Sequence, residues 1–438
     1  MAPPSGQRLN GIAGAPILFE RCDELPLVEF GVVIRSGSLR DPDGLTGLAR
    51  MLGGLLKRGA RGQSPTALDE RLGDLGARLS VQTGFHSTRL GGVVLARNLD
   101  AYVALVAEIL QNPALRAGDL ARAKRETLSA LRQSRDDDRY LAGRVFRTSV
   151  YQDHPYGRAT AGSERDIRRI KRPALQGLHE QVLRRSNIFF AVSGAVTPER
   201  VQKLVAEHFG SIPKGRLAGP RLKTPRPPRG RQVILVDKPG RSQCQMYIGT
   251  LASRIGDADF DALSLGNAIF GGAFTSRLTQ SIRGDRGWSY GASSRLHLSQ
   301  QRAPWAMWTH PATEYASECA AEQLRLLDEW VEHGVKAKEL SFVKRYIING
   351  HCFDLDTASK RLSARVEAEV FGIDPAWTWR LPARLRAVRR ADVNAAIKKR
   401  ISRRDQSIVV VGSADELSGR FAELPGVESV RTVPYTEV

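Results

Sequence analysis

The 438-residue sequence has no long hydrophobic run. A transmembrane helix needs about 18 or more consecutive apolar residues, so the sequence predicts no membrane span. The opening stretch, residues 1–14, also lacks the apolar core that a signal peptide requires. Two interpretations of this start stay open: a cytosolic protein, or a mature form from which a signal peptide has been removed.

Cysteines are few, and the histidines are poorly spaced for metal binding. The four cysteines form no C-x-x-C pair, which favours buried thiols over a metal site. A disulfide between Cys244 and Cys319 stays open. No two of the eight histidines lie two to four residues apart, so the sequence offers no pair of histidines on one helical turn to share a metal.

The sequence has fewer acidic than basic residues. It contains 46 aspartates and glutamates and 66 lysines and arginines, which gives a net charge of +20. A basic balance of this size raises nucleic acid, anionic membranes and acidic peptides as partners. The positive charge is spread along the chain, without a dense tail or a block of interleaved basic and aromatic residues. We therefore expect no nucleic-acid partner.

The clearest boundary in the chain is a proline-rich stretch. Residues 212–231, "IPKGRLAGPRLKTPRPPRGR", hold five prolines, seven lysines or arginines and no acidic residue. Proline at this density resists helix and sheet and favours an extended strap. The sequence therefore predicts an N-terminal domain over residues 1–211, a linker over 212–231 and a C-terminal domain over 232–438.

The two halves repeat one order of elements. Each begins with a strand, continues through helices and further strands into a long helical stretch, and ends with a short apolar strand before a helix. An order that is used twice indicates a duplicated domain. We expect an α+β fold of two homologous domains, each an antiparallel-rich sheet flanked by helices.

The segment "GLARMLGGLLKRG", residues 47–59, predicts a helix with leucines at core spacing on one face. Arg50, Gly53 and Gly54 lie on the opposite face, and positions 50 and 54 are one turn apart. Two histidines with this spacing bind one zinc ion in an H-x-x-E-H helix. Arginine and glycine offer no ligand, so the sequence predicts no zinc here.

This helix and the preceding "IRSGSLRDPDGLTG" resemble the inverted zinc motif of the pitrilysin/insulinase metallopeptidases. In that resemblance, Arg50 and Gly54 stand at the two histidine positions, Gly53 at the glutamate position, and Ala130 near the third ligand. The resemblance implies half of a clamshell of the pitrilysin/LuxS-like metalloenzyme fold, with a degenerate zinc motif and no cofactor in this chain.

A second motif is intact in the C-terminal half. The segment "FTSRLTQSIRGDRGWSYGASS", residues 274–294, matches the family pattern S-R-L-x-x-x-(I/L)-R-x-x-x-G-x-x-Y. By resemblance, Arg283 and Tyr290 reach a zinc site of the first-half type and stabilise the oxyanion that forms from a peptide carbonyl. Hydrogen-bond donors of this kind are worth about 10² to 10³ in rate. We expect the segment "WSYGAS" to begin a strand with Trp288, Tyr290 and Ala292 on one face.

The resemblance implies the non-metal-binding subunit of a heterodimeric zinc metalloendopeptidase. Its partner would be a homologous H-x-x-E-H-bearing subunit that holds the zinc, and its substrates would be peptides or small unfolded proteins. The alternative is a catalytically inert structural homologue, like the respiratory-complex core subunits or the alpha chain of the mitochondrial processing peptidase. The short Gly-Gly of "NAIFGGAFTSRLT" counts against the latter, which has a long glycine-rich loop. The family places such chains in the periplasm, with the cytoplasm as the alternative location.

Overall fold

The computed structural model describes residues 6–220 and 222–438. They form two compact units, each built from three segments of the chain. The first unit consists of residues 6–131, 159–220 and 352–379, and the second of residues 132–158, 222–351 and 380–438.

The first unit is built on a six-stranded sheet with the order β1-β2-β6-β3-β5-β4. Only β2 and β6 pair in parallel, and the other neighbours are antiparallel. Its strands are β1 (Gln7–Ile12), β2 (Ala15–Arg21), β3 (Leu27–Ile34), β4 (Ser80–Thr83), β5 (Thr88–Leu95) and β6 (Ile188–Gly194).

The second unit repeats this plan with the order β12-β7-β11-β8-β10-β9. Here β7 pairs in parallel with β11 and β12, and the remaining pairs are antiparallel. Its strands are β7 (Arg231–Asp237), β8 (Gln245–Leu251), β9 (Ala292–Leu296), β10 (Pro304–Thr309), β11 (Gln406–Gly412) and β12 (Val427–Pro434).

Helices flank both sheets. Those that precede the proline-rich stretch are α1 (Leu48–Leu56), α2 (Pro65–Asp74), α3 (Leu99–Gln111), α4 (Ala117–Gln133), α5 (Asp138–Tyr151), α6 (Glu164–Arg169), α7 (Arg172–Val182) and α8 (Pro198–Phe209). Those that follow it are α9 (Phe260–Asn267), α10 (Arg277–Thr279), α11 (Ala316–His333), α12 (Ala337–Gly350), α13 (Ala358–Phe371), α14 (Leu381–Ala387), α15 (Arg390–Arg400) and α16 (Ala414–Ala422). Two π-helical turns, Ala268–Gly272 and Gln280–Asp285, extend α9 and α10.

Local sequence explains several of these boundaries. Helix α8 begins after Thr197, whose hydroxyl accepts a hydrogen bond from the Arg200 amide, and Pro198 occupies its first turn. Threonine is a favoured N-cap and proline a favoured first residue. Strand β6 is buried along its whole length because core side chains pack on both of its faces, which is why residues 188–192 form a continuous apolar run.

An aromatic cluster forms part of the core of each unit. In the first, the Phe190 ring centroid lies 6.2 Å from that of Phe30 and 4.9 Å from that of Phe209. In the second, the Trp330 ring stacks on Phe270 at 4.6 Å and on Trp305 at 5.5 Å. Large buried aromatic side chains contribute much of the apolar area that stabilises a fold.

The two sheets of six strands, flanked by helices, confirm the predicted α+β class and its repeated plan. The described part of the proline-rich stretch has no regular structure before β7 begins at Arg231. Each compact unit includes one helix from the other half of the chain: α13 packs on β2 and β6, and α5 packs on β8 and β11. The domain boundaries at 211 and 232 stay a prediction.

None of the four cysteines, all of which lie in the described residues, forms a disulfide, so the open possibility of a disulfide between Cys244 and Cys319 is not realised. Both of these thiols are buried, as the sequence predicts. The prediction is wrong for Cys352, which is exposed just after α12, and Cys22 is only partly buried.

Candidate functional site

The helix of the degenerate zinc motif, α1, begins at a rigid corner. The Asp41 carboxylate accepts hydrogen bonds from the amides of Gly47 and Ala49, both at 2.8 Å. Gly47 has φ +91°, and a Cβ there would lie 2.7 Å from the carbonyl oxygen of Ala161, so only glycine fits. The leucines of α1 are buried, whereas Arg50 and Gly54 are exposed.

The exposed face of α1 forms one side of a cleft of about 430 Å³ within the first unit. Helix α4 and the edge strand β4 form other parts of its wall. The residues that line the cleft are Gly47, Arg50, Met51, Gly53, Gly54, Arg58, Val81, Gln82, Thr83, Ala123, Glu126, Thr127, Ala161 and Ile167.

The residues of this cleft do not fit a zinc ion. Arg50 has no acceptor atom and Gly54 no side chain. At Gly53, a Cβ would lie 2.7 Å from Thr83 Oγ1 and 3.1 Å from Val81 Cγ1, so a glutamate at this position would require these side chains of β4 to shift. Among residues 6–220 and 222–438, no three histidine, cysteine, aspartate or glutamate side chains are placed to hold a metal.

The one carboxylate that lines the cleft, Glu126, is already paired. It accepts hydrogen bonds from Arg58 Nη2 at 2.8 Å and Arg122 Nε at 3.0 Å. Partial burial acts to raise the pKa of Glu126, but the two arginines outweigh it and lower the pKa. Ala130 lies one turn further along α4, is exposed, and is not among the lining residues.

Arg283 and Tyr290 lie together at the surface of the second unit. The guanidinium carbon of Arg283 is 4.4 Å from the centroid of the Tyr290 ring and 4.9 Å from that of Phe274. Tyr290 is 77% exposed and Phe274 74% exposed. Among the described residues, neither the guanidinium of Arg283 nor the hydroxyl of Tyr290 has a hydrogen-bond or ion-pair partner.

A buried carboxylate supports the π-helical turn that carries Arg283. Glu322 of α11 accepts a hydrogen bond from Ser281 Oγ at 2.6 Å and pairs with Arg286 at 3.2 Å and with Arg325 at 2.8 Å. Hydrogen bonds from Arg325 contribute most to lowering the pKa of Glu322, against its burial. Turns of the π type are rare and often occur at functional sites.

The segment "WSYGAS" leads into a strand, but β9 begins at Ala292, so the predicted start at Trp288 is wrong. Gly287 adopts φ +66°, which turns the chain. The Gly291 amide then donates to His310 Nε2 at 3.0 Å instead of to a neighbouring strand. Trp288 is half-buried against Tyr315, whereas Tyr290 extends into solvent and Ala292 is buried, so the three side chains do not share one face.

Sequence reasoning missed Phe274 as the second aromatic ring beside Arg283. The signal available was a large apolar residue within the small, polar run "GGAFTSR", where a buried side chain is not expected. It also missed Glu322, because its partners are 41 residues away for Ser281 and 36 for Arg286. Together these residues present two free hydrogen-bond donors, a guanidinium and a phenol, next to exposed aromatic surface.

Two models of one peptidase family match this sequence and together cover most of it. "Insulinase (Peptidase family M16)" matches residues 18–164, and "Peptidase M16 inactive domain" matches residues 169–347. An uncharacterized zinc protease of Mycobacterium bovis is 26% identical over 342 residues, which is 78% of each chain. A non-peptidase homolog, YmxG, of Helicobacter pylori is 21% identical over 404 residues, which is 92% of each chain.

Solved structures share the fold. A peptidase M16 inactive domain from Pseudomonas fluorescens superposes with a TM-score of 0.86 at 23% identity, covering 93% of this chain and 98% of that one. The periplasmic protease PqqL from Escherichia coli superposes with a TM-score of 0.79 at 15% identity, covering 97% of this chain and 49% of that one.

Proposed function

Because the chain belongs to the insulinase family of peptidases, family M16, we propose that it is the non-metal-binding subunit of a heterodimeric zinc metalloendopeptidase. The observation that carries the proposal is the surface pair of half-buried Arg283 and exposed Tyr290. Neither the guanidinium of Arg283 nor the hydroxyl of Tyr290 donates a hydrogen bond to any described residue. Among the described residues, the cleft of the first unit offers no set of zinc ligands, so in this proposal the zinc is held by another chain.

In this proposal Arg283 and Tyr290 act on a peptide bound at the partner's zinc site. The guanidinium and the phenol each donate a hydrogen bond to an oxygen of the peptide, and the charge of Arg283 favours that oxygen as it becomes anionic. Stacking of Arg283 on the ring of Tyr290 at 4.4 Å restricts both side chains before the substrate arrives. The zinc of the partner would supply Lewis-acid chemistry.

The proposed partner is a homologous subunit that carries the H-x-x-E-H motif and one zinc ion. The E. coli protease PqqL offers a parallel, because this chain covers 97% of its own length but only 49% of that protein. A single PqqL chain therefore contains about two lengths of this one. In the proposed heterodimer, a separate homologous subunit would take the place of the other half of PqqL. Peptides or small unfolded proteins would be the substrates.

An inert structural role is the alternative, and the relative named a non-peptidase homolog favours it. Under this alternative the pair of Arg283 and Tyr290 would have no effect on catalysis.

The periplasm is the proposed location, by the family resemblance and by the named location of PqqL. No helix of the described residues is long and apolar enough to cross a membrane.

Cleavage of an unstructured fluorogenic peptide tests the proposal. It is measured with this chain, with the H-x-x-E-H-bearing homologue of the same organism, and with titrated mixtures of the two. We expect only the mixture to cleave, with a rate that saturates at equal amounts of the chains. A homologue that is fully active alone and gains nothing from this chain would instead support the inert structural role.

A further inference from the structure

The cleft of the first unit contains a cation without a partner. The Arg50 side chain lies on the exposed face of α1 and lines the cleft. It makes no hydrogen bond or ion pair with any residue that the structure describes. The neighbouring carboxylate of Glu126 does not neutralise it, because Arg58 and Arg122 already occupy that carboxylate.

The charge balance of the lining therefore favours an anion. Two arginines, Arg50 and Arg58, face one glutamate, Glu126. The remaining polar side chains of the lining are neutral: Gln82, Thr83 and Thr127. A guanidinium matches a carboxylate in shape and donates two parallel hydrogen bonds to it.

The space beside Arg50 admits such a group. Gly54 lies one turn further along α1, and a Cβ placed there would meet no atom within 4 Å. Another part of the wall is β4, an edge strand that pairs only with β5 among the described strands. An unpaired strand edge can hydrogen-bond an extended peptide, so the cleft combines a carboxylate-binding side chain with a surface for peptide backbone.

We propose that this cleft binds a carboxylate of an acidic, extended peptide, with the guanidinium of Arg50 as the recognising group. Arg50 stands where the family motif has a zinc-binding histidine, so this position would recognise an anion instead of a metal. This binding belongs to the isolated chain. It requires neither the partner subunit nor the pair of Arg283 and Tyr290.

Fluorescence polarisation with labelled ten-residue peptides tests this proposal on the intact chain. Two pairs of peptides separate the possible sources of the carboxylate. The first pair compares a peptide that has an internal glutamate with the same peptide that has glutamine there. The second pair compares a peptide that has a free C-terminal carboxylate with its amidated form. We expect one of these changes to weaken binding about tenfold, the scale of a charge-assisted bidentate hydrogen bond. If neither change weakens binding, the proposal is wrong.

Variants of the protein test whether Arg50 is the residue that binds the peptide carboxylate. Arg50→Gln should abolish the difference between the acidic and the neutral peptide, and Gly54→Leu should block binding by filling the cleft. Lys57→Gln is the matched control, because Lys57 is an exposed cation at the end of the same helix but does not line the cleft. Equal weakening by Arg50→Gln and Lys57→Gln would indicate general attraction to a chain of charge +20 and would overturn the assignment.

Discussion

At the scale of single residues, half-buried Arg283 and exposed Tyr290 are held together mainly by their own cation–π contact. An exposed cation–π contact is worth about 0.5–1 kcal/mol, enough to favour one arrangement of the two side chains but not to lock it. The cation also lies 4.9 Å from the ring of Phe274, so two aromatic rings flank it. A substrate oxygen would therefore meet donors that are already near their working positions.

A histidine of the second unit gives a prediction about pH. Burial, together with the charges of Arg147 and Arg295, lowers the pKa of His297 to about 4. In the unfolded chain the same group titrates near 6.5. The folded state therefore resists protonation, and the stability contributed by neutral His297 is present above pH 6.5 and falls as the pH is lowered toward 4.

We expect His297→Gln to reduce the loss of unfolding free energy between pH 7 and pH 5 by about 2 kcal/mol. Denaturant unfolding at several pH values measures it, with His333→Gln as the control at an exposed histidine. Some loss should remain in the variant, since burial also lowers the pKa of His154, His179 and His310. An unchanged slope in His297→Gln would contradict the prediction.

At the scale of elements, the adjacent glycines of α1 have different surroundings. A Cβ at Gly54 meets nothing within 4 Å, whereas one at Gly53 meets Thr83 Oγ1 at 2.7 Å. We expect Gly54→Ala to raise the free energy of unfolding by about 1 kcal/mol through helix propensity. Gly53→Ala should lower it by about 1 kcal/mol or more through overpacking. Denaturant unfolding of the two variants checks this, and equal effects would contradict the packing of α1 on β4.

The π-helical turn gives a second prediction at this scale. Glu322→Ala leaves the Ser281 hydroxyl and the Arg286 guanidinium without their buried acceptor. We expect a loss of about 2–3 kcal/mol in unfolding free energy, together with faster amide hydrogen exchange over residues 280–286. Glu329→Ala is the control, because Glu329 is an exposed partner of Arg325 and should cost under about 1 kcal/mol. Unchanged exchange in Glu322→Ala would show that the turn is held by other contacts.

At the scale of the whole molecule, the repeated plan was accessible from the sequence because local patterns encode it. Leucine spacing predicts α1, and continuous apolar runs predict β6 and β11. The positions of Arg283 and Tyr290 follow from motif spacing. Their role at a zinc site stays a prediction.

Features that depend on distant contacts could not be predicted in this way. The strand β12 has an exposed, polar sequence and is defined by its pairing with β7. Helix α5 of the N-terminal half packs on the sheet of the second unit, and helix α13 of the C-terminal half packs on the sheet of the first. Local sequence does not indicate which sheet a helix will cover. The crowding at Gly53 depends on Thr83, 30 residues away in sequence, and the sequence around α1 carries no sign of it.

In the proposed function, this chain is half of an enzyme and supplies Arg283 and Tyr290 to the other half. The most direct test is kcat for peptide cleavage by the saturated mixture of both chains. The double variant Arg283→Ala/Tyr290→Phe is compared with Arg345→Ala/Tyr346→Phe, which makes the same changes at exposed positions of α12. We expect the first variant to lower kcat by about 10² or more and the second to leave it unchanged. An unchanged kcat in the first variant would show that Arg283 and Tyr290 take no part in catalysis.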